Sequence, residues 1–150
     1  MTFNNLGLPQ SLLELLNKVN YKSAYPIQKE AIPIVLKGKD VLGIAQTGSG
    51  KTVAFGLAIA PTILENEETF SQPELPLALI VTPTRELAMQ VKAELQWLYK
   101  LTGAQIASCV GGMDMRSERR TLDRGAHIVV GTPGRLRDHI ERNSLDVREL

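Results

Sequence analysis

"AQTGSGKT", residues 45–52, is the stretch on which the fold turns. It follows the apolar run DVLGIA at 40–45 and leads into a helix-period segment at 50–64, so it reads as strand, glycine-rich turn, helix. In that setting Gly48 and Gly50 let the backbone curl until successive N–H groups point into one concave anion site, and the helix N-terminus adds its dipole. Ala45, Gln46, Thr47 and Ser49 complete the loop, with Ala45 where the looser phosphate-loop pattern has glycine. Lys51 is spaced to reach the β- and γ-phosphates of a nucleotide, and the Thr52 hydroxyl to hold Mg²⁺.

Beyond this loop, further apolar runs of strand length lie at 77–82, 105–110 and 126–131. Helical periodicity covers 10–19, 27–36, 50–64, 84–100, 115–123 and 133–142. Strands alternating with helices predict an α/β fold, a mostly parallel sheet with helices on both faces. The acidic, proline-bearing stretch 65–76 has no period and reads as a surface loop, and no repeat of 20–50 residues is present.

At 150 residues and 43% apolar composition, without a run of membrane-spanning length, the chain is expected to be one soluble unit with one core. The N-terminus carries no secretion signature, and the single Cys109 reads as a buried small residue in a strand, which together point to a cytoplasmic protein. Net charge is only +1, yet all nine arginines lie at or after Arg85 while six of the eight lysines precede it. The second half therefore has the residues for a polyanion surface. Against that, RSERRTLDR at 116–124 reads equally as a solvated helix face with Glu118 and Asp123 interleaved.

Two strands end in Thr-Pro-x-Arg, at 82–85 and 132–135. Proline suits a first helical turn, Thr82 and Thr132 are candidate caps, and Arg85 and Arg135 then stand at matching positions beyond the C-terminal edge of a parallel sheet, where ligands of such folds bind. Gly111 and Gly112, after the intervening strand, add a place where backbone can approach a ligand closely.

Taken together, AQTGSGKT, PTRELA at 83–88, the double glycine 111–112, TPGR at 132–135 and NYKSAYPIQ at 20–28 resemble the first RecA-like domain of bacterial DEAD-box ATP-dependent RNA helicases. The resemblance runs from Phe3 to the last residue. It implies a RecA-like P-loop domain truncated before the Asp-Glu-Ala-Asp motif, occupying 1–150 with an adenine-reading Q motif at 1–29, the second RecA-like domain being absent. It implies ATP and Mg²⁺ as cofactors, Lys51 and Thr52 as catalytic groups, and Thr52 at the metal. Gln28 would bond the adenine edge, since a carboxamide donates and accepts at once, with Tyr21 stacked on or beside the base and Phe3 as the isolated upstream aromatic. Thr84, Arg85, Gly112, Thr132, Gly134 and Arg135 would hold the backbone of single-stranded or locally unwound RNA, contacts that position a strand without reading its bases.

Four positions depart from the family pattern: Asn20 for glycine, Ala24 for proline, Tyr25 for a small hydroxyl residue, and Glu118 where many relatives have glutamine. No adjacent acidic pair follows an apolar strand, because Glu67 and Glu68 fall in the loop. The intact protein is thus expected to hydrolyse ATP and unwind RNA locally, and this chain alone to be inactive. A helicase-type translocase acting on DNA and a non-catalytic nucleotide- or RNA-binding module are the alternatives. Protein partners are not legible.

Overall fold

A computed structural model describes residues 2–21 and 23–150. Met1 and Lys22, both inside the expected adenine-reading segment 1–29, lie outside the described residues. The chain divides into two compact units, Met1–Thr69 with Trp97–Thr102, and Phe70–Gln96 with Gly103–Leu150.

The first unit is helical. A 3-10 turn at Phe3–Asn5 precedes α1 (Gln10–Lys18), α2 (Pro26–Leu36) and α3 (Lys51–Ile63). α1 buries Leu12, Leu13, Leu15 and Leu16, the face its periodicity predicts. Pro9 precedes α1 and has no side-chain acceptor to offer its first amides; the carboxylate of Glu68 takes that role from far along the chain, accepting from Gln10 N at 3.1 Å and Ser11 N at 2.7 Å. The loop expected at 65–76 is therefore exposed yet anchored. α1 ends where Asn20 turns left-handed at φ 64°, the conformation that asparagine tolerates and for which the family's glycine stands. α2 packs along α3, and Ile32 and Leu57 are fully buried.

The second unit holds a parallel sheet in the order β1-β3-β2, with β1 at Ala78–Val81, β2 at Ile106–Cys109 and β3 at Ile128–Gly131. Ile128 pairs with both Ala78 and Ile106, so the three strands end level at Val81, Cys109 and Gly131. Helices α4 (Arg85–Leu98), α5 (Met115–Arg124) and α6 (Pro133–Glu141) follow the three strands in turn. All four residues of β3 are buried, as a central parallel strand requires. Val129, Ala107 and Cys109 form one core with Leu136 of α6 and Leu145, against which Leu122 of α5 and Leu79 pack.

Three of the four expected strands form. The fourth, 40–45, does not: it has no regular secondary structure and no strand partner among the described residues, and Leu42 and Ile44 are 88% and 86% exposed. An apolar run meets the pattern of a buried strand, but a strand exists only when a neighbour takes its N–H and C=O groups.

Candidate functional site

The phosphate loop takes the shape its glycines predict. Gly48 and Gly50 have φ of 81° and 86°, and Gly50 caps α3 in the left-handed conformation. Ala54 N is the first amide of the helix with a helical acceptor, Gly50 O at 3.0 Å, which leaves the N–H groups of Lys51, Thr52 and Val53 pointing out of the helix start. Ser49 Oγ is buried with no partner among the described residues. Lys51 Nζ donates to the Ala45 carbonyl at 2.6 Å, folding the ammonium over the loop. Free amides, a buried hydroxyl and a lysine at one turn are the donor set that a phosphate group satisfies. Thr52 is half-buried in the first turn of α3, next to Lys51.

Gln28 connects the preceding segment to this loop. It is 0% exposed, accepts from Tyr25 N at 2.9 Å, and donates through Nε2 to Tyr21 Oη at 2.9 Å and Gly50 O at 3.1 Å. Where Tyr25 replaces a small hydroxyl residue, the hydrogen bond to the phosphate loop thus runs from Gln28. The Tyr25 ring lies against Gly50 instead: a Cβ there would overlap Tyr25 Cδ2 and Gln28 Nε2. Phe3 is buried and tilts against Tyr21 at 5.7 Å between centroids, while Tyr25 meets Tyr21 edge-on at 5.8 Å. An isolated bridge between Thr2 and Ser23 holds Phe3 there. Phe3 therefore backs Tyr21.

In the second unit the two Thr-Pro-x-Arg ends prove unequal. α6 begins at Pro133 with Thr132 as N-cap residue, but the Thr132 side chain makes no capping bond. α4 begins two residues after its proline, at Arg85, and its cap is Thr84, whose Oγ1 accepts from Leu87 N at 3.2 Å. Thr82, expected as the cap, is buried and donates to Thr84 O at 3.2 Å. The same four letters enter a helix in two phases, so the arginines differ. Arg85 is half exposed, 3.7 Å from Glu86, and lies over Gly112, where a Cβ would overlap its guanidinium. Gly112 has φ 83°, so glycine is required there twice over. Arg135 is only 13% exposed and donates to Glu118 Oε1 at 3.2 Å and Met113 O at 3.1 Å, closing the turn that carries the double glycine. Gly134 has open space around it.

Glu118 is the residue that sequence reasoning misplaced. Read as part of a solvated face, it is 7% exposed and accepts from Arg135, from His139 Nε2 at 2.9 Å and from Val110 N at 2.8 Å. Its position between Met115 and Leu122, at helical spacing on the inward side of α5, was the available signal. Burial, and then the charge of Glu118, push the Cys109 thiol up to about 12. His127 is also buried, with Nδ1 accepting from Gln105 N at 2.9 Å and Nε2 set 2.9 Å from Ser71 O; Phe70 stacks on the ring.

A glycine-rich loop opening a helix, in a chain whose parallel strands alternate with helices, defines a P-loop α/β protein of RecA-like fold. More narrowly, the chain belongs to the DEAD/DEAH box helicase family, whose sequence profile matches residues 25–150. Over all of its length it is 48% identical to the ATP-dependent RNA helicase CshA of Limosilactobacillus reuteri and 44% identical to the DEAD-box ATP-dependent RNA helicase CshA of Streptococcus pneumoniae serotype 4, covering 29% and 28% of those proteins. The chain thus spans less than a third of the length of these two relatives. Among solved structures, the RNA helicase Prp28 of Chaetomium thermophilum bound to ADP shares 40% identity at TM-score 0.85, over 99% of this chain and 36% of that one. The yeast DEAD-box splicing factor Prp28 matches all of this chain and 37% of its own at TM-score 0.88 and 33% identity. Among the described residues no helix is long and apolar enough to cross a membrane.

Proposed function

We propose that this chain is the nucleotide-binding part of an ATP-dependent RNA helicase, that residues 1–150 lie in its ATP-binding domain with the adenine-reading segment at 1–29, and that the whole protein unwinds short RNA duplexes with ATP. The observation that carries the reading is the phosphate loop: two left-handed glycines, amides left open at a helix start, and the orphaned hydroxyl of Ser49. Ala45, Gln46, Thr47, Gly48, Ser49 and Gly50 surround the phosphates. The Lys51 ammonium gives up the Ala45 carbonyl for phosphate oxygen, offsetting negative charge where it is densest. Thr52 would hold magnesium, which when bound screens the phosphates and steadies charge that develops on them. Gln28 reads adenine by turning the Nε2 hydrogen freed from Tyr21 Oη to N7 of the base while the second lone pair of Oε1, which also takes Tyr25 N, accepts from the N6 amine; the bond to Gly50 O is kept, and Tyr21 packs on the base with Phe3 behind it.

The RNA backbone lies along the level strand ends of the second unit. Arg85 and Thr84 at the start of α4, the open backbone of Gly112, and Thr132, Gly134 and Arg135 at the start of α6 supply donors to phosphate and sugar. The single buried cysteine suits a reducing, cytoplasmic setting. Calorimetric titration of Mg·ADP into the chain and into Lys51→Ala tests the reading. Binding by the first and its loss in the second, at unchanged circular dichroism, is the expected result; equal binding by both would remove the loop from the nucleotide site.

A further inference from the structure

α5 carries Arg116, Arg119, Arg120 and Arg124, all exposed. At 3.6 residues per turn these four and Asp123 share one side of the helix, while Met115, Glu118 and Leu122 take the other. The observed burial agrees: Glu118 is turned into its cluster with Arg135 and His139, and Leu122 packs on the core. The acid that would have neutralised the outer face is therefore spent inside. Four guanidinium groups face solvent against Asp123, and among the described residues none of the four makes an ion pair. Arg116, Arg120 and Arg124 form a row at i, i+4 and i+8, advancing about 6 Å per step, comparable to the separation of successive phosphates along one strand. A shallow groove lined by Ser117, Arg120, Asp123 and Arg124 runs beside the row.

We propose that this row is a second stretch of RNA-backbone contact, continuing from the Gly112 turn along α5, so that the site on this unit is longer than the edge formed by Arg85, Gly112 and α6. The proposal rests on the RNA reading above. The row begins four residues after Gly112, so a strand whose phosphate lies at that turn meets Arg116 next. Arginine, with its planar fork, suits phosphate. The outer face has no large apolar side chain, which a helix lying in a lipid surface needs.

The test uses the 150-residue chain and fluorescent oligouridylates of five and twelve nucleotides, titrated by anisotropy over a series of KCl concentrations. Arg120→Gln/Arg124→Gln is compared with Arg85→Gln and with Arg137→Gln, an exposed arginine paired to Glu141 at 2.9 Å on α6. The unmodified chain is expected to bind the 12-mer more tightly than the 5-mer. The double variant loses that advantage, falling about ten- to thirty-fold on the 12-mer near 0.1 M salt with a salt slope shallower by about 1.4, and leaves the 5-mer unchanged. Arg85→Gln weakens both lengths; Arg137→Gln weakens neither. A length advantage that survives the double variant, or none in the unmodified chain, overturns the second stretch. An Arg85→Gln chain that binds both lengths normally overturns the edge reading instead. Equal binding of polyglutamate or phosphatidylserine vesicles, lost in the same double variant, would assign the row to an acidic protein or a membrane and overturn RNA as its ligand.

Discussion

Arg135 and Glu118 lie 3.2 Å apart, and through that pair the turn carrying Gly111 and Gly112 is fastened to α5 and α6 together. Each Glu118 oxygen has a duty: Oε2 takes the first amide after β2, that of Val110, and Oε1 takes Arg135 and His139. Removing a buried charge strands its partners, so Glu118→Ala is expected to cost about 3–5 kcal/mol in urea unfolding. Glu118→Gln should cost less than Ala, because its carbonyl still accepts from Val110 N and its amide can donate to His139 once the imidazole proton moves to Nδ1, but it leaves Arg135 with Met113 O as its acceptor and no counter-charge, so a loss of about 2 kcal/mol is expected. Equal losses in the two variants would show that the carboxylate charge, and not the shape of the side chain or its bond to Val110 N, is what the site requires. With its thiol pushed up to about 12, Cys109 should resist iodoacetamide at pH 8 until the chain unfolds.

His127 ties the exposed loop to the sheet and gives the fold an acid sensitivity. Burial holds its pKa below the ordinary 6.5, the Ser71 bond opposing this more weakly. A depressed value means that the neutral ring is favoured in the folded state. The stability it brings is therefore present above pH 6.5 and lost as pH falls through the lower folded value. His127→Gln can make both bonds, accepting from Gln105 N and donating to Ser71 O, without titrating. Its melting temperature should fall less than that of the unmodified chain between pH 7 and pH 5. Parallel curves would contradict this role.

Glu68 should act as a helix cap even though 57 residues separate it from Ser11. Glu68→Ala is expected to lower stability by about 1 kcal/mol, with Glu68→Gln between the two because a carbonyl still accepts while the charge facing the helix dipole is gone. Thermal melts rank the three chains, and an unchanged Ala variant would show the contact to be idle.

The two phosphate-loop glycines are not equivalent. At Gly48 nothing lies within 4 Å of an added Cβ, so Gly48→Ala meets only backbone strain of about 1–2 kcal/mol. At Gly50 the same methyl also meets Tyr25 and Gln28, so Gly50→Ala should disrupt the link between them and abolish nucleotide binding. Titration of Mg·ADP into both variants, with circular dichroism as the folding control, reads the difference; equal affinities would rule it out.

What could be read from the sequence divides along the same physical line. The helices and the loop at Gly48 to Lys51 are local matters of periodicity and backbone freedom, and each appears where its residues predict. What escaped were partners distant in sequence. Nothing near Glu68 announces that it faces Gln10, and nothing near His127 announces Ser71. The run at 40–45 has a strand's composition but no ladder, and Thr82 has a cap's chemistry while the helix starts late enough for Thr84 to take the bond. Glu118 was hidden by its neighbours, because a run of charges resembles a wet face until one member is seen pointing inward.

The most direct measurement is displacement of fluorescent ADP from the 150-residue chain by unlabelled ADP and, separately, by GDP. Displacement by ADP and not by GDP is the predicted result, since it requires both a formed phosphate loop and a Gln28 that exchanges Tyr21 for adenine. Equal displacement by the two would leave the loop and contradict the adenine site, and no binding of fluorescent ADP would contradict both.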